Sequence, residues 1–252
     1  MTRIIAIASG KGGVGKTTLV ANLSAALARF NTSVVAIDGN LTTANLGIHL
    51  GIPMYPVTLQ DVIKGRARIL DAIYYHPAGF RVLPSDISLS KFIEPDTQRF
   101  VDVFYKLIGD TDFVLIDSAA GIGRETISTI RAADEVILVT NPDVPSLTDA
   151  LKVLKMARSY GTQPVGVVVN RVKRKPHEIS SDRIQEFLEV PIIGEVWEDM
   201  NVPKSIANKQ PVVVYNPKSV AAQQFMAIAA SLLGREHQIK LPLIHRMFGW
   251  LK

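Results

Sequence analysis

A glycine-rich segment near the beginning of the chain constrains its fold more than any other feature. Residues 10–17 read Gly-Lys-Gly-Gly-Val-Gly-Lys-Thr and match the pattern G-x-x-x-x-G-K-S/T at every required position. Residues 3–8 before the segment predict a short buried strand, and residues 19–29 after it have a helical pattern. A strand, a glycine loop and a helix in this order form an anion site, because the loop N–H groups converge at the positive end of the helix.

The side chains of this loop define a candidate phosphate site. Lys16 is expected to contact the β- and γ-phosphates of a nucleotide, and the Thr17 hydroxyl is expected to hold the Mg²⁺ that bridges them. A glycine-rich turn that contains Lys-Thr by chance is the alternative. The candidate binding residues are Gly10, Lys11, Gly12, Gly13, Val14, Gly15, Lys16, Thr17 and Thr18.

Lys11, directly after the first glycine, makes the loop unusual. With this lysine, residues 11–18 resemble the deviant Walker A motif of the MinD/ParA family of ATPases, and the similarity is closest to its MinD-type cell division members. In that family the extra lysine reaches the phosphates of a partner subunit, where a second cation neutralises charge on the transferred phosphoryl group. The resemblance implies that Lys11 and Lys16 are catalytic, and a solvated loop lysine is the alternative for Lys11.

The resemblance extends over nearly the whole chain and implies its architecture. It implies one α/β P-loop NTPase domain over residues 1–238, with a mostly parallel, doubly wound sheet flanked by helices, and a C-terminal amphipathic helix in residues 239–252. ATP or ADP and Mg²⁺ are the implied cofactors, and the implied assembly is a homodimer that sandwiches two ATP molecules. The similarity is most specific at the glycine loop and less specific after Gly121.

Composition agrees with a single α/β domain. The 252 residues are 47% hydrophobic and 20% charged, which is typical of a globular protein with a sizeable core. Cysteine does not occur, which excludes disulfides, iron–sulfur clusters and thiolate metal sites. The formal charge of +5 favours an anionic partner: a nucleotide, a nucleic acid or a membrane surface. Because no apolar run reaches the roughly 18 residues needed to span a bilayer, we expect a cytoplasmic protein with peripheral membrane contact.

Two apolar runs that each end in an aspartate predict where Mg²⁺ binds. Residues 34–38 and 113–117 read as buried parallel strands that end in Asp38 and Asp117. Ligands of open α/β sheets bind at the carboxyl ends of the strands, so both carboxylates are expected near the glycine loop. We predict that they join Thr17 around Mg²⁺, with Asp117 in the Walker B role.

Two residues depart from the family's pattern. The family commonly has two acidic residues at the start of its switch I loop, but here the second position is Asn40. An amide cannot accept a proton, and general-base assistance is typically worth about 10² to 10⁴ in rate. We therefore predict slow turnover, with Asn40 as a further catalytic residue that orients water; natural variation and an engineered substitution fit equally well. In the family's switch II loop, Ala119 replaces the usual proline, which should loosen residues 118–123.

In the second half of the chain, three residues are candidates for binding the adenine base of the nucleotide. Asn170 ends the apolar strand 165–169, and in MinD-like proteins an asparagine at this point contacts adenine. A simple turn-forming role for Asn170 is the alternative. Arg171 could stack over the base, and Pro203 lies in a segment that resembles the family's late adenine-binding loop.

Residues 171–175, here named the basic segment, carry four positive charges in the order Arg-Val-Lys-Arg-Lys. A solvated loop is the favoured interpretation. Contact with the base, with nucleic acid or with a membrane are the alternatives. Aromatic residues do not interleave the charges, so the segment does not resemble a platform for single-stranded nucleic acid.

The last twelve residues form an amphipathic helix when they are placed on a helical wheel. Such a helix is typical of an anionic membrane surface and resembles the membrane-targeting sequence of MinD-type proteins, whereas docking on its own domain is the alternative. The residues expected to enter the membrane are Leu241, Ile244, Met247, Phe248, Trp250 and Leu251.

Three functions therefore remain open. The first is a membrane-associated ATPase switch that positions the division machinery or other proteins through an unidentified client or activator. The second is a DNA-binding partition ATPase, favoured by the basic segment and the high isoelectric point. The third is an ATP-dependent scaffold that barely hydrolyses, favoured by Asn40.

Overall fold

The computed structural model describes residues 1–52, 55–86 and 97–239. In this part of the chain, one eight-stranded sheet has helices packed on both of its faces. The strands are β1 Arg3–Ser9, β2 Val34–Asp38, β3 Tyr74–Tyr75, β4 Arg81–Leu83, β5 Phe113–Ala120, β6 Glu135–Thr140, β7 Gln163–Val172 and β8 Ile192–Trp197. The α-helices are α1 Lys16–Arg29, α2 Leu46–His49, α3 Leu59–Ile63, α4 Thr97–Tyr105, α5 Arg124–Arg131, α6 Val144–Ser159, α7 Ser181–Leu188, α8 Asn201–Ala207, α9 Val212–Tyr215 and α10 Val220–Leu232.

The sheet order is β3-β4-β2-β5-β1-β6-β7-β8, and every pair is parallel except the short β3 with β4. This arrangement confirms the α/β fold with a mostly parallel sheet. Because the parallel strands point the same way, their carboxyl ends form one edge of the sheet. Asp38, Asp117 and Asn170 lie at this edge, at or near the ends of β2, β5 and β7, and the glycine loop leaves it from β1.

The central strand β1 shows why the chain contains such continuous apolar runs. Ile4, Ala6 and Ala8 pack into the core on one face of the sheet, whereas Ile5 and Ile7 pack into the core on the other. A strand that is covered on both faces has no position for a polar side chain, so alternation disappears from its sequence. The strand therefore places the glycine loop near the middle of the sheet.

Several boundaries differ from the sequence-based prediction, and two of these differences bear directly on the site. Strand β7 also extends beyond the predicted residues 165–169 at both ends. Helix α1 begins at Lys16 instead of residue 19, because Gly15 is its N-cap residue and turns the chain directly into the helix. Strand β5 continues through residues 118–120, which were predicted to be loop. Ala120 pairs with Ser9 and the Gly121 N–H donates to the Ser9 carbonyl, so pairing with β1 prolongs the strand.

None of the helices within the described ranges combines the length and the apolar character that crossing a bilayer requires. The predicted amphipathic helix at residues 241–252 lies outside the described residues. Its role is therefore still a prediction.

Candidate phosphate, metal and base site

The glycine loop connects β1 to the first turn of α1 in the geometry of an anion site. Gly13 and Gly15 have φ values of 77° and 101°, in the left-handed region that residues with a Cβ atom rarely adopt. The Gly15 carbonyl accepts the first helical hydrogen bond, from Leu19 N–H at 2.9 Å. Residues 10–18 therefore lie where the unpaired N–H groups and the positive end of α1 can face a phosphate group.

The two lysines of the loop lie in different environments. Lys16 is buried, and its Nζ donates a 2.8 Å hydrogen bond to Ser9 Oγ. Burial lowers the pKa of Lys16, and the nearby Asp117 carboxylate opposes that shift. The Lys11 side chain is exposed at the mouth of the loop, while its carbonyl accepts a hydrogen bond from Ser9 Oγ at 2.7 Å. Lys16 can thus act on a phosphate within the loop, whereas Lys11 is exposed to solvent.

Asp38 and Asp117 lie side by side at the ends of neighbouring strands. They are directly paired in the register of β2 and β5, and both are buried. The Asp38 carboxylate accepts backbone N–H groups from Asn40 at 3.2 Å and from Asn45 and Leu46 at 3.0 Å each. Burial and the neighbouring Asp117 raise the pKa of Asp38, although these hydrogen bonds oppose the shift. Asp38 is thereby fixed in place by the loop that follows it.

Asp117 is the less satisfied of the two carboxylates. Burial raises its pKa to about 6, while a hydrogen bond with Thr17 and the charge of Lys16 oppose the shift. Its Oδ1 is buried without a hydrogen-bond partner. A buried oxygen with an unused lone pair beside a threonine hydroxyl fits a hydrated cation.

These residues suit Mg²⁺ bound together with a nucleotide. Mg²⁺ typically binds through one or two carboxylates, keeps several waters and takes its other ligands from phosphates. In the described ranges, no three His, Cys, Asp or Glu side chains approach closely enough to form a metal cage by themselves. Thr17 and Asp117, with Asp38 beside them, are the groups that could hold Mg²⁺ here.

Asn40 is held by its own loop. Its Oδ1 accepts hydrogen bonds from the Thr43 N–H at 3.0 Å and from the Thr43 hydroxyl at 3.1 Å, and its Nδ2 lies 2.8 Å from the same hydroxyl. Thr42 contacts Glu125 in the first turn of α5, which connects this loop to the segment after β5. Asn40 would therefore have to exchange at least one local hydrogen bond in order to orient a water molecule.

Ala119 lies within β5, in place of the proline that the family usually has. Its carbonyl accepts a hydrogen bond from the Thr126 hydroxyl of α5 at 3.1 Å. Unlike proline, alanine carries a backbone N–H and can take the φ values of a strand. The prediction that residues 118–120 belong to a loop was therefore wrong, and Gly121 marks the end of the strand with a φ of 81°.

A cavity of about 270 Å³, here named the base cavity, adjoins the glycine loop. It lies on the side opposite Asp38 and Asp117, here named the acidic pair. It brings together the three residues predicted to bind the base, Asn170, Arg171 and Pro203. The remaining lining residues are Gly15, Thr18, Val196, Trp197, Glu198, Asp199, Met200, Val202, Ile206 and Phe225. Val202 and Ile206 belong to the same late segment as Pro203, which the family resemblance had indicated. Sequence reasoning missed residues 196–200 and Phe225, because they lie on separate elements and form no local pattern.

Asn170 has a second task besides lining this cavity. Its Nδ2 donates a 2.6 Å hydrogen bond to the Val14 carbonyl of the glycine loop. A Cβ atom at Gly15 would lie 2.1 Å from the same Nδ2. The bond fixes the orientation of the amide, so that Oδ1 is left to accept a hydrogen bond from a ligand.

The basic segment is tied to neighbouring acidic and aromatic residues. Lys173 Nζ lies 3.4 Å from Glu198 Oε2, and the Arg174 guanidinium lies over the Trp197 ring at 4.4 Å from its centroid. Arg171 is exposed, with a φ of 56° at an irregularity in the pairing of β7 with β8. Two of the four positive charges are thus engaged within the protein.

Comparisons with known proteins agree with this geometry. A family model described as the CobQ/CobB/MinD/ParA nucleotide binding domain matches residues 5–212. An uncharacterized ATP-binding protein of Methanocaldococcus jannaschii is 43% identical over 241 residues, which cover 96% of this chain and 91% of that protein.

Solved structures give the same result. The septum site-determining protein MinD of Pyrococcus horikoshii, complexed with Mg-ADP, has a TM-score of 0.88 and 38% identity over 92% of this chain and 96% of that one. A chain of the MinC:MinD cell division protein complex of Aquifex aeolicus has a TM-score of 0.85 and 30% identity over 95% and 98% of the two chains. Similarity of this extent confirms the resemblance seen in the glycine loop, and the chain belongs to the MinD/ParA family of nucleotide-binding ATPases.

Proposed function

We propose that this protein is an ATP-dependent switch that hydrolyses ATP to ADP and phosphate with Mg²⁺ as cofactor. One observation carries the proposal: Lys16, Thr17 and Asp117 meet at the N-terminus of α1, where Asp117 has an unused buried oxygen. The relative from Pyrococcus horikoshii that shares this fold is complexed with Mg-ADP. The same ligands are proposed for this chain.

Each residue has a role that follows from its position. The N–H groups of residues 10–18 surround the phosphates, and Lys16 neutralises the oxygens of the transferred group. Thr17 and Asp117 hold Mg²⁺, which neutralises charge on the phosphate oxygens, and Asp38 is positioned beside them. Asn170, Arg171 and Pro203 bind the base in the adjoining cavity.

Hydrolysis is proposed to be slow because Asn40 stands where a carboxylate would assist the attacking water. The amide can orient water through its oxygen but cannot take the proton. Its bonds to Thr43 also compete with water for that oxygen. A long-lived ATP state follows.

The ATP state is proposed to be a homodimer on the inner face of the cell membrane. Lys11 is exposed at the mouth of the loop, where it can reach the phosphates of a partner subunit. Two tails with the residues Leu241 to Leu251 would bind lipid with an avidity about 10²-fold or more above that of one tail. The relative in the MinC:MinD complex supports a protein client that the dimer recruits and positions.

A DNA-binding partition ATPase is the second candidate, and the structure offers it less support than the sequence did. Lys173 and Arg174, which the basic segment would need for phosphate contacts, already contact Glu198 and Trp197. Binding DNA through them would first require those contacts to break. A scaffold that hydrolyses negligibly is the third candidate, and it is favoured by Asn40 alone.

Sedimentation with anionic liposomes, and separately with duplex DNA, distinguishes these functions. We expect the full chain to sediment with liposomes in ATP but not in ADP, and a chain without residues 240–252 to remain in solution. Lys16→Ala is the matched control that should bind neither nucleotide nor liposomes. Liposome binding that survives removal of the tail contradicts the membrane mechanism, and ATP-dependent DNA binding without lipid binding favours the partition ATPase.

A further inference from the structure

Two residues of the basic segment contact the wall of the base cavity. The functions proposed above assign no role to these two contacts. Trp197 and Glu198 both line the cavity. Arg174 packs on the ring of Trp197, and Lys173 pairs with Glu198. Two residues of one loop therefore hold two consecutive residues of the wall.

Glu178 gives this loop a fixed shape. Its carboxylate accepts the N–H groups of Lys173 and Lys175 at 3.0 to 3.1 Å, and its own N–H donates to the Lys175 carbonyl at 3.0 Å. Arg174 has a φ of 58°, as expected in a tight turn closed in this way. Residues 173–178 are hereafter named the clasp.

The clasp is anchored on both sides of the turn. Before it, the Val172 carbonyl accepts the Glu198 N–H at 2.9 Å, which joins the end of β7 to the cavity wall. After it, the Ile179 N–H donates to the Pro142 carbonyl at 3.1 Å. A turn held at both ends and by Glu178 can present the Arg174 guanidinium in one direction.

We propose that the clasp positions the outer wall of the base cavity and thereby sets how fast bound nucleotide leaves. This inference rests on the proposed nucleotide-binding function. An outward movement of Trp197 and Glu198 would break both contacts with the clasp. Keeping the wall in place before the ligand arrives also lowers the ordering cost of binding. Arg174 acts through Trp197, so it is a positioning residue.

The expected change in the dissociation rate of the nucleotide follows from how exposed the two contacts of the clasp are. The side chains of Lys173 and Glu198 are each 50% exposed, and an ion pair in that setting contributes little. A cation over an aromatic ring at an exposed site changes an equilibrium by about two- to fivefold. Arg174 is therefore expected to account for most of the clasp's effect.

Dissociation of fluorescent N-methylanthraniloyl-ADP, chased with excess ADP in a stopped-flow instrument, measures the relevant rate constant on the full chain. We expect Arg174→Ala to accelerate dissociation about two- to fivefold and Arg174→Lys, which keeps the cation, to fall between that variant and the original. Lys175→Ala is the matched control, because it removes a charge from the exposed neighbour and should leave the rate constant unchanged. Tripolyphosphate is expected to occupy only the glycine loop. Its competition with the fluorescent ADP should therefore be equal in the original protein and in the three variants.

Three results would overturn the inference. The first is an unchanged dissociation rate constant in Arg174→Ala, and the second is an equal acceleration in Lys175→Ala. Both leave the proposed nucleotide-binding function intact, because the original protein still binds the fluorescent ADP. The third is that no protein in the set, including the original, binds the ADP probe or tripolyphosphate, which removes the proposed function and the clasp together.

Discussion

Replacing Asp117 by asparagine is expected to stabilise the nucleotide-free protein while removing its response to Mg²⁺. Asp117 is buried, its Oδ1 lacks a hydrogen-bond partner, and burial raises its pKa from 3.8 to about 6. A carboxyl group that holds its proton more tightly in the folded protein lowers the free energy of unfolding as the pH rises from about 3.8 to 6. The loss is absent below that window and complete above it.

The magnitude follows from the two pKa values. Their difference of about 2 units corresponds to about 3 kcal/mol, because each unit is worth about 1.4 kcal/mol. Asparagine avoids this loss, and it also relieves Asp38 of a neighbouring negative charge. Buried Lys16 loses a favourable partner, which offsets part of the gain. We expect a net stabilisation of about 1–3 kcal/mol at pH 7.5, with a rise in Tm of about 2–4 °C per kcal/mol for a chain of this length.

Urea unfolding in EDTA, without nucleotide, at several values between pH 4.5 and 8 measures this difference. The two proteins should converge toward the acidic end and separate above pH 6, with Asp117→Asn more stable. Asp134→Asn removes an exposed carboxylate and serves as the control, which should stay within about 0.5 kcal/mol of the original protein. In a buffer without EDTA, Mg-ADP at 100 times the Kd of the original protein should stabilise the original protein by about 2.7 kcal/mol and Asp117→Asn by less.

Parallel pH dependences for the original protein and Asp117→Asn would refute this reasoning. They would mean that Asp117 is ionised in the folded protein at no cost, and that its neighbours fully compensate its burial. A loss of stability in Asp117→Asn at every pH would refute it as well, because the carboxylate would then be a net stabilising group without metal.

Three further substitutions test other parts of the site. Asn40→Asp retains the acceptor oxygen that bonds Thr43 and replaces the amide nitrogen by an oxygen that can accept a proton, so the steady-state ATPase rate should rise about 10²-fold or more, whereas a change within about twofold contradicts the role of Asn40. Asn170→Ala removes the bond to the loop carbonyl and should weaken ADP binding by about 1–3 kcal/mol in calorimetry; an unchanged affinity would exclude this contact as a determinant. Gly15→Ala places a Cβ atom 2.1 Å from Nδ2 of Asn170 at a φ of 101°, so urea unfolding should show a loss of about 1–3 kcal/mol. Gly12→Ala meets its nearest atom only at 3.8 Å and is the control, and equal losses in the two variants would argue against this contact.

The strands and the phosphate loop were predictable from the sequence because their signals are local. Residues 4–8 of β1 and 113–116 of β5 are continuous apolar runs, and the glycine pattern needs no distant partner to be recognised. The extension of β5 to Ala120 was missed because it depends on pairing with Ser9, more than a hundred residues earlier.

The residues of the base cavity were harder still to predict, because they come from distant parts of the sequence. Asn170 was predicted as a base ligand from the family resemblance, but its bond to Val14 spans 156 positions and leaves no local pattern. Trp197 and Phe225 belong to β8 and α10, and each alone looks like core packing. Only tertiary structure brings them to one wall.

The order of the strands has a consequence for how the protein can be tuned. Along the edge of the sheet, Asp38 and Asp117 lie on β2 and β5, and the glycine loop follows β1. The base cavity lies at β7 and β8. At about 4.8 Å per strand, the β2 and β7 positions are roughly 19 Å apart. Substitutions at that separation usually have additive free energies. The proposed roles of Asn40 in hydrolysis and of Arg174 in nucleotide exchange therefore predict that the two rates vary independently. Mutation would then lengthen or shorten either half of the proposed ATPase cycle while leaving the other half unchanged.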